Sequence, residues 1–111
     1  VYGNIDDELI RSEIPESLFF TINKVKFLMT HIAGSIPKYN LKTLNLIKQK
    51  KPDVLISGHS HILKVVRDTK NDLLFINPGA CGKVGFHKKK TVLRFSILEN
   101  KIDGMEVIEL S

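Results

Sequence analysis

Cysteine is nearly absent from this 111-residue chain, with Cys81 its only example. A single thiol excludes an internal disulfide framework and a cysteine-rich zinc site, and it fits a reducing compartment, so a cytoplasmic setting is expected. Aromatic residues are scarce at 7%, and no basic–aromatic interleaving of the kind that stacks single-stranded bases is visible. Nucleic acid is therefore not an expected partner, although the net charge of +5 suits anions such as phosphates. No apolar run is long enough to span a bilayer, and no signal-peptide pattern is found, so no membrane partner is expected. Internal repeats and low-complexity linkers are missing as well. The length allows one domain or part of one. An initiator methionine is also lacking. The chain opens on VYGNIDD, with Val1–Gly3 reading as the end of a strand, so an upstream segment is expected.

What the chain does contain reads as mixed α/β. Residues 6–11 suit a short helix. SLFFTI (17–22) and VKFLMT (25–30) read as two strands joined by a turn at Asn23–Lys24. Residues 31–39 form a loop. Asn40 suits an N-cap, and Leu41, Leu44 and Ile47 recur at near-helical spacing, so a helix is expected to run from there to just before Pro52. Further strands are expected at 53–57, 62–66 and 73–76, then a glycine-rich loop at 77–85, then strands at 91–98 and 104–108. The helix–strand unit at 40–57 implies a parallel core, and the later hairpins imply antiparallel additions.

Three of these strands end alike. VYG is followed by Asn4, VKFLMT by His31, and DVLISG by His59 and His61. In α/β folds, sites form where the carboxyl ends of strands converge, so adjacent strands would carry these four side chains to one rim. In an extended HSH segment, His59 and His61 point to one face, with Cα atoms roughly 6 to 7 Å apart. That spacing suits two ligands serving different ions of a pair about 3.5–4 Å apart. Gly58 allows close backbone approach. Singly, a histidine at a strand end is most often a surface or hydrogen-bonded residue, so the weight rests on the ordered set. Cys81 is expected to pack as a small apolar residue, residues 88–90 (KKK) to form a solvated face, and His87 has no evident partner.

The ordered set Gly3-Asn4-Ile5-Asp6, Thr30-His31, Gly58-His59-Ser60-His61 and Asn77-Pro78-Gly79 resembles the calcineurin-like metallophosphoesterases, most closely the small YfcE-type phosphodiesterase branch. The resemblance covers essentially the whole chain. It implies the C-terminal portion of a metallophosphoesterase-type β-sandwich flanked by helices, with a two-metal centre. Asn4, His31 and His59 would ligate one divalent ion and His61 the other, manganese being the first expectation and nickel, iron, zinc or cobalt alternatives. It further implies hydrolysis of a small-molecule phosphodiester by a bridging hydroxide. Asp6 would orient an imidazole, so His31 and Asp6 are the candidate catalytic residues.

The chain also departs from that family's pattern. Its Asp-x-His motif and bridging aspartate would lie upstream of Gly3-Asn4, and Asp53 stands at the wrong end of its strand to replace them. The span alone is therefore expected to be inactive. Ile5 occupies the place where larger relatives carry a histidine, which favours activated diesters over a protein phosphatase role. Ile32 and Ala33 precede Gly34 in the loop after His31, which bears on substrate fit. The alternative is a catalytically inactive protein-interaction scaffold of the same fold, like the retromer subunit. A homo-oligomer is left open.

Overall fold

The computed structural model describes residues 1, 3, 15–82 and 89–110. The expected 6–11 helix, and with it Asn4, Asp6 and His87, lie outside the described residues. Strands β1 (Ser17–Ile22), β2 (Val25–Thr30), β3 (Val54–Ser57), β4 (Leu63–Asp68) and β5 (Leu73–Pro78) form one sheet in the order β1-β2-β3-β5-β4. The centre is parallel, β2 on β3 and β3 on β5, and each edge is an antiparallel hairpin. Strands β6 (Lys90–Leu98) and β7 (Lys101–Leu110) form a separate antiparallel sheet. One helix, α1 (Leu41–Lys50), completes the described elements.

Why the central strands read as unbroken apolar runs is evident from their two covered faces. Side chains alternate across a strand, and both faces of a parallel sheet are buried. On one face Leu28, Leu55, Leu73 and Phe75 pack with Tyr39 and Ile47 under α1. On the other, Val25, Phe27, Val54 and Ile76 meet Leu93, Phe95, Ile97, Ile102 and Met105 of the second sheet. Phe27 bridges the two sheets, its ring 5.2 Å from Phe20 and 6.3 Å from Phe95. The result is a sandwich of two sheets with a helix on its outer face, as expected.

The expected β1–β2 hairpin is present with its turn. Asn23 and Lys24 both have positive φ, at 47° and 66°, the geometry of a two-residue type I′ turn that matches strand twist. Helix α1 starts where Asn40 caps it, Oδ1 accepting from Thr43 N at 2.8 Å, and it stops at Lys51, which is left-handed and donates to Ile47 O. Leu41, however, stays 73% exposed. The buried stripe is centred on Thr43 and Ile47, and at 100° per residue Leu41 falls on its far side. The final hairpin also differs from expectation. Its turn is only Glu99–Asn100, again with both φ positive, and β7 runs straight through Gly104. Gly104 (φ 60°) lies at the register shift between Arg94 and Ser96, so it marks a bulge inside the strand and not the start of one. Cys81 is exposed and does not pack as a small apolar residue. Asp53 sits at the amino end of β3, as read, where its carboxylate accepts from Lys26 N at 2.9 Å. Among the described residues no helix is long and apolar enough to cross a membrane.

Candidate metal centre

Parallel pairing of β2 and β3 sets Thr30 beside Ser57, so the chain leaves both strands at the same rim. Gly58 N donates to His31 O at 2.9 Å, and Ser57 Oγ accepts from Ala33 N at 3.1 Å. These bonds tie the two strand ends together and bring His31 and His59 side by side. Nδ1 of His59 lies 3.3 Å from Nε2 of His31, with the ring planes 81° apart. Two imidazole nitrogens bound to one ion at ~2.0–2.1 Å stand about 3.3 Å apart across a tetrahedral edge. The pair therefore fits a shared divalent ion.

The His31 ring lies against bare backbone. A Cβ on Gly3 would fall 3.4 Å from His31 Cε1, and one on Gly58 would fall 3.6 Å from His31 Nδ1. Gly3, the residue before Asn4, is thus next to His31, although neither Val1 nor Gly3 belongs to a strand. Asn4 and Asp6 themselves lie outside the described residues. Among the described residues no group of three His, Cys, Asp or Glu gathers, so the two imidazoles are the part of a ligand set that these residues bring together.

The extended reading of HSH does not hold. His59 and His61 are both left-handed, with φ of 72° and 62°, and the segment is an irregular loop that β4 follows. The i, i+2 rule for strands does not apply to such a loop. His61 shares the loop with His59 but not a strand face with it. Asn77 holds this loop, a role that sequence reasoning missed. It was expected in a glycine-rich loop, yet it is a buried residue of β5. Its Nδ2 donates to Ser60 Oγ at 2.9 Å and to Gly58 O at 3.3 Å, while its Oδ1 accepts from Gly79 N at 3.0 Å. The signal was available in Asn-Pro-Gly, where proline removes a donor and glycine supplies positive φ. Gly79 has φ 78°, and a Cβ there would stand 2.1 Å from Thr91 Oγ1.

Asn77→Ala removes the amide that fixes the loop on both sides of His59. The expected result is a 10- to 100-fold loss in metal affinity, the usual effect of losing a residue that orients a ligand. Competition with a chromophoric chelator measures it, and unchanged affinity would contradict the positioning role.

The loop that follows His31 is fastened independently. Asn40 N donates to Ala33 O at 2.8 Å and Asn40 Nδ2 to Ile32 O at 3.0 Å, so the helix cap also clamps this loop. Gly34 has φ 95°, and a Cβ on it would meet Asn40 N at 2.8 Å, so only glycine fits. Tyr39 closes the loop, stacking 6.2 Å from Phe75 and donating to Asp68 Oδ2 at 2.6 Å. Burial, reinforced by the neighbouring Asp68, pushes the Tyr39 hydroxyl well above its ordinary value. At Asp68 burial works upward, but hydrogen bonds from Tyr39, Asn71 and Lys70 outweigh it and hold the carboxyl below the usual range.

The profile described as the calcineurin-like phosphoesterase superfamily domain matches residues 1–100. Among solved structures, the chain is similar to an archaeal phosphodiesterase at 27% identity and TM-score 0.67, covering 98% of this chain and 66% of that one. It is similar to a Thermotoga maritima protein solved by NMR at 22% identity and TM-score 0.68, covering 99% and 64%. It is also similar to Vps29 from Entamoeba histolytica complexed with zinc at 19% identity and TM-score 0.70, covering 99% and 66%. These last two likenesses speak to the fold alone. The chain spans 64% and 66% of the length of the last two proteins, slightly less than two thirds.

Proposed function

Because the chain belongs to the calcineurin-like phosphoesterase superfamily, whose members hydrolyse phosphate esters with divalent metals, we propose that the protein of which it forms part or all is a metal-dependent phosphodiesterase acting on a small substrate. The observation that carries this reading is the 3.3 Å approach of His59 Nδ1 to His31 Nε2 at the carboxyl ends of β2 and β3. With Asn4 they would hold one ion, and His61 would hold a second, manganese being preferred in a cytoplasmic setting. When bound, such ions lower the pKa of water and neutralise charge at phosphorus.

The chain's own residues hold and aim the ligands. Imidazole must be neutral at the ligating nitrogen, and Asp6 is proposed to orient a ring by accepting from its other nitrogen. Asn77 fixes the loop of His59, and Ser57 fixes the backbone that follows His31. No protein side chain needs to attack phosphorus.

A protein-interaction platform on the same fold is the second reading, supported by the likeness to Vps29, which is one of fold. The convergent imidazole pair supplies what hydrolysis needs, and the Vps29 structure also holds zinc, so the assay separates the two readings. The test uses the full-length protein, stripped with chelator and assayed on bis(4-nitrophenyl) phosphate and on 4-nitrophenyl phosphate with manganese, nickel or zinc restored. Hydrolysis is expected to return with metal and to favour the diester. Failure to cleave the diester with any of these ions would overturn the reading.

A further inference from the structure

A cleft of about 420 Å³ opens beside His59, within the range of ~300–1,000 Å³ typical of small-molecule sites. One wall carries Ile32 and Ile36 of the loop after His31. Ile62 and Lys64, from the segment after His61, and Phe75 line the cleft as well. Ile32 and Ile62 remain 39% and 61% exposed. Two large apolar side chains are thus left in contact with water around a cleft that contains a metal-competent imidazole, so the cleft is made to bury an apolar group.

Lys64 gives the cleft its charge. It lies directly opposite Asn77 in the β4–β5 register, so both side chains project from the same face of the sheet. Asn77 uses that face to reach Ser60, which sets Lys64 on the side of the His59 loop. Lys42, Arg67, Lys89 and Arg94 each pair with a carboxylate, whereas Lys64, among the described residues, pairs with none. An ammonium that makes no structural ion pair, at the edge of an apolar cleft, attracts an anion.

We infer that this cleft receives the group esterified to phosphate, that the group is apolar, and that it carries a second anion that meets Lys64. The inference rests on the phosphodiesterase reading and names its substrate class. A phosphodiester brings one negative charge to the metal centre. Lys64, which lines the cleft together with the isoleucines, recognises a further carboxylate or phosphate on the leaving group.

The test uses the full-length protein with ¹³C-labelled isoleucine methyls, titrated without added metal with phenyl phosphate, 4-carboxyphenyl phosphate and 1,4-phenylene bisphosphate. The methyls of Ile32, Ile36 and Ile62 are expected to shift. The two compounds with a second anionic group are expected to bind about tenfold more tightly than phenyl phosphate, as one added charge-assisted contact predicts. Whichever of the two binds more tightly identifies the anion as carboxylate or phosphate. Lys64→Met keeps the apolar stem, and it should erase the tenfold difference. Unmoved methyls, or a difference that survives Lys64→Met, overturns the inference. A parallel comparison of kcat/KM for methyl aryl phosphodiesters with and without a 4-carboxylate separates the two claims. Equal cleavage of both, with unmoved methyls, overturns the cleft assignment and leaves the phosphodiesterase reading standing. Shifted methyls and a Lys64-dependent preference in binding, with neither diester cleaved, support the cleft assignment and overturn phosphodiester hydrolysis.

Discussion

Changing His59 to alanine in the full-length protein is expected to lower manganese-dependent hydrolysis of bis(4-nitrophenyl) phosphate on the order of a thousandfold. Metal ions contribute several kcal/mol of transition-state stabilisation, and each ~1.4 kcal/mol is tenfold in rate. Stability should hardly change. His59 is exposed on an irregular loop and fills no part of either core, and such substitutions fall within about 0.5 kcal/mol. Steady-state kinetics at several manganese concentrations, with a thermal melt alongside, make the comparison. A loss of less than tenfold would remove His59 from the ligand set. A lost melting transition would mean that the residue supports the fold and not the chemistry.

Asp68→Ala should do the reverse, damaging the fold before the chemistry. The Asp68 carboxylate is 3% exposed and accepts from Tyr39 Oη, Lys70 N, Asn71 N and Asn71 Nδ2. Its removal strands the buried Tyr39 hydroxyl along with the other donors. The cost is about 3 kcal/mol, since hydrogen bonds to charged groups contribute ~1.5–3 kcal/mol and a stranded donor adds its desolvation. The sign of the pH dependence follows from the direction of the shift. The folded state holds Asp68 below its ordinary value of 3.8. Its stabilisation is therefore complete above that value and fades as pH falls through the lower folded one. Urea unfolding of the native chain and of Asp68→Ala should differ by the full amount at pH 7, and the gap should narrow as pH falls below 3.8 toward the lower folded value. A gap that does not narrow at all as pH falls below 3.8 would show that the carboxylate charge contributes nothing.

The contrast between these two residues tracks how much of the molecule is legible from the chain. The β1–β2 hairpin announces itself, because SLFFTI and VKFLMT flank two residues that tolerate the left-handed region. The parallel core follows from DVLIS, whose unbroken apolarity requires cover on both faces. His31 and His59 are legible as strand-end histidines. Local pattern carries all of these. Tyr39 and Asp68 lie 29 residues apart, and their bond exists only because α1 returns the chain over β5. No local periodicity encodes such a contact. Asn77 was misplaced for a related reason. Asn-Pro-Gly is turn chemistry by composition, yet pairing with Lys64 draws its first two residues into β5. The HSH loop misled because alternation predicts a shared face only while the backbone stays extended, and both histidines abandon it.

The hydrogen bonds around Asn77 have a thermodynamic consequence for the metal centre. A left-handed backbone at His59 and at His61 is uncommon for residues with a side chain, and the contacts of Asn77 with Gly58 O and Ser60 Oγ bind the loop in that form to a central strand. Ordering of the ligand loop is therefore coupled to the folding of the sheet and not to the arrival of the ion. Binding of an ion by the proposed ligands would then cost little conformational entropy, its affinity reflecting bond formation and desolvation at ligands already in position. A centre built this way would exchange one divalent ion for another without reorganising its protein. The choice of metal then follows the composition of its surroundings more than the shape of its loop.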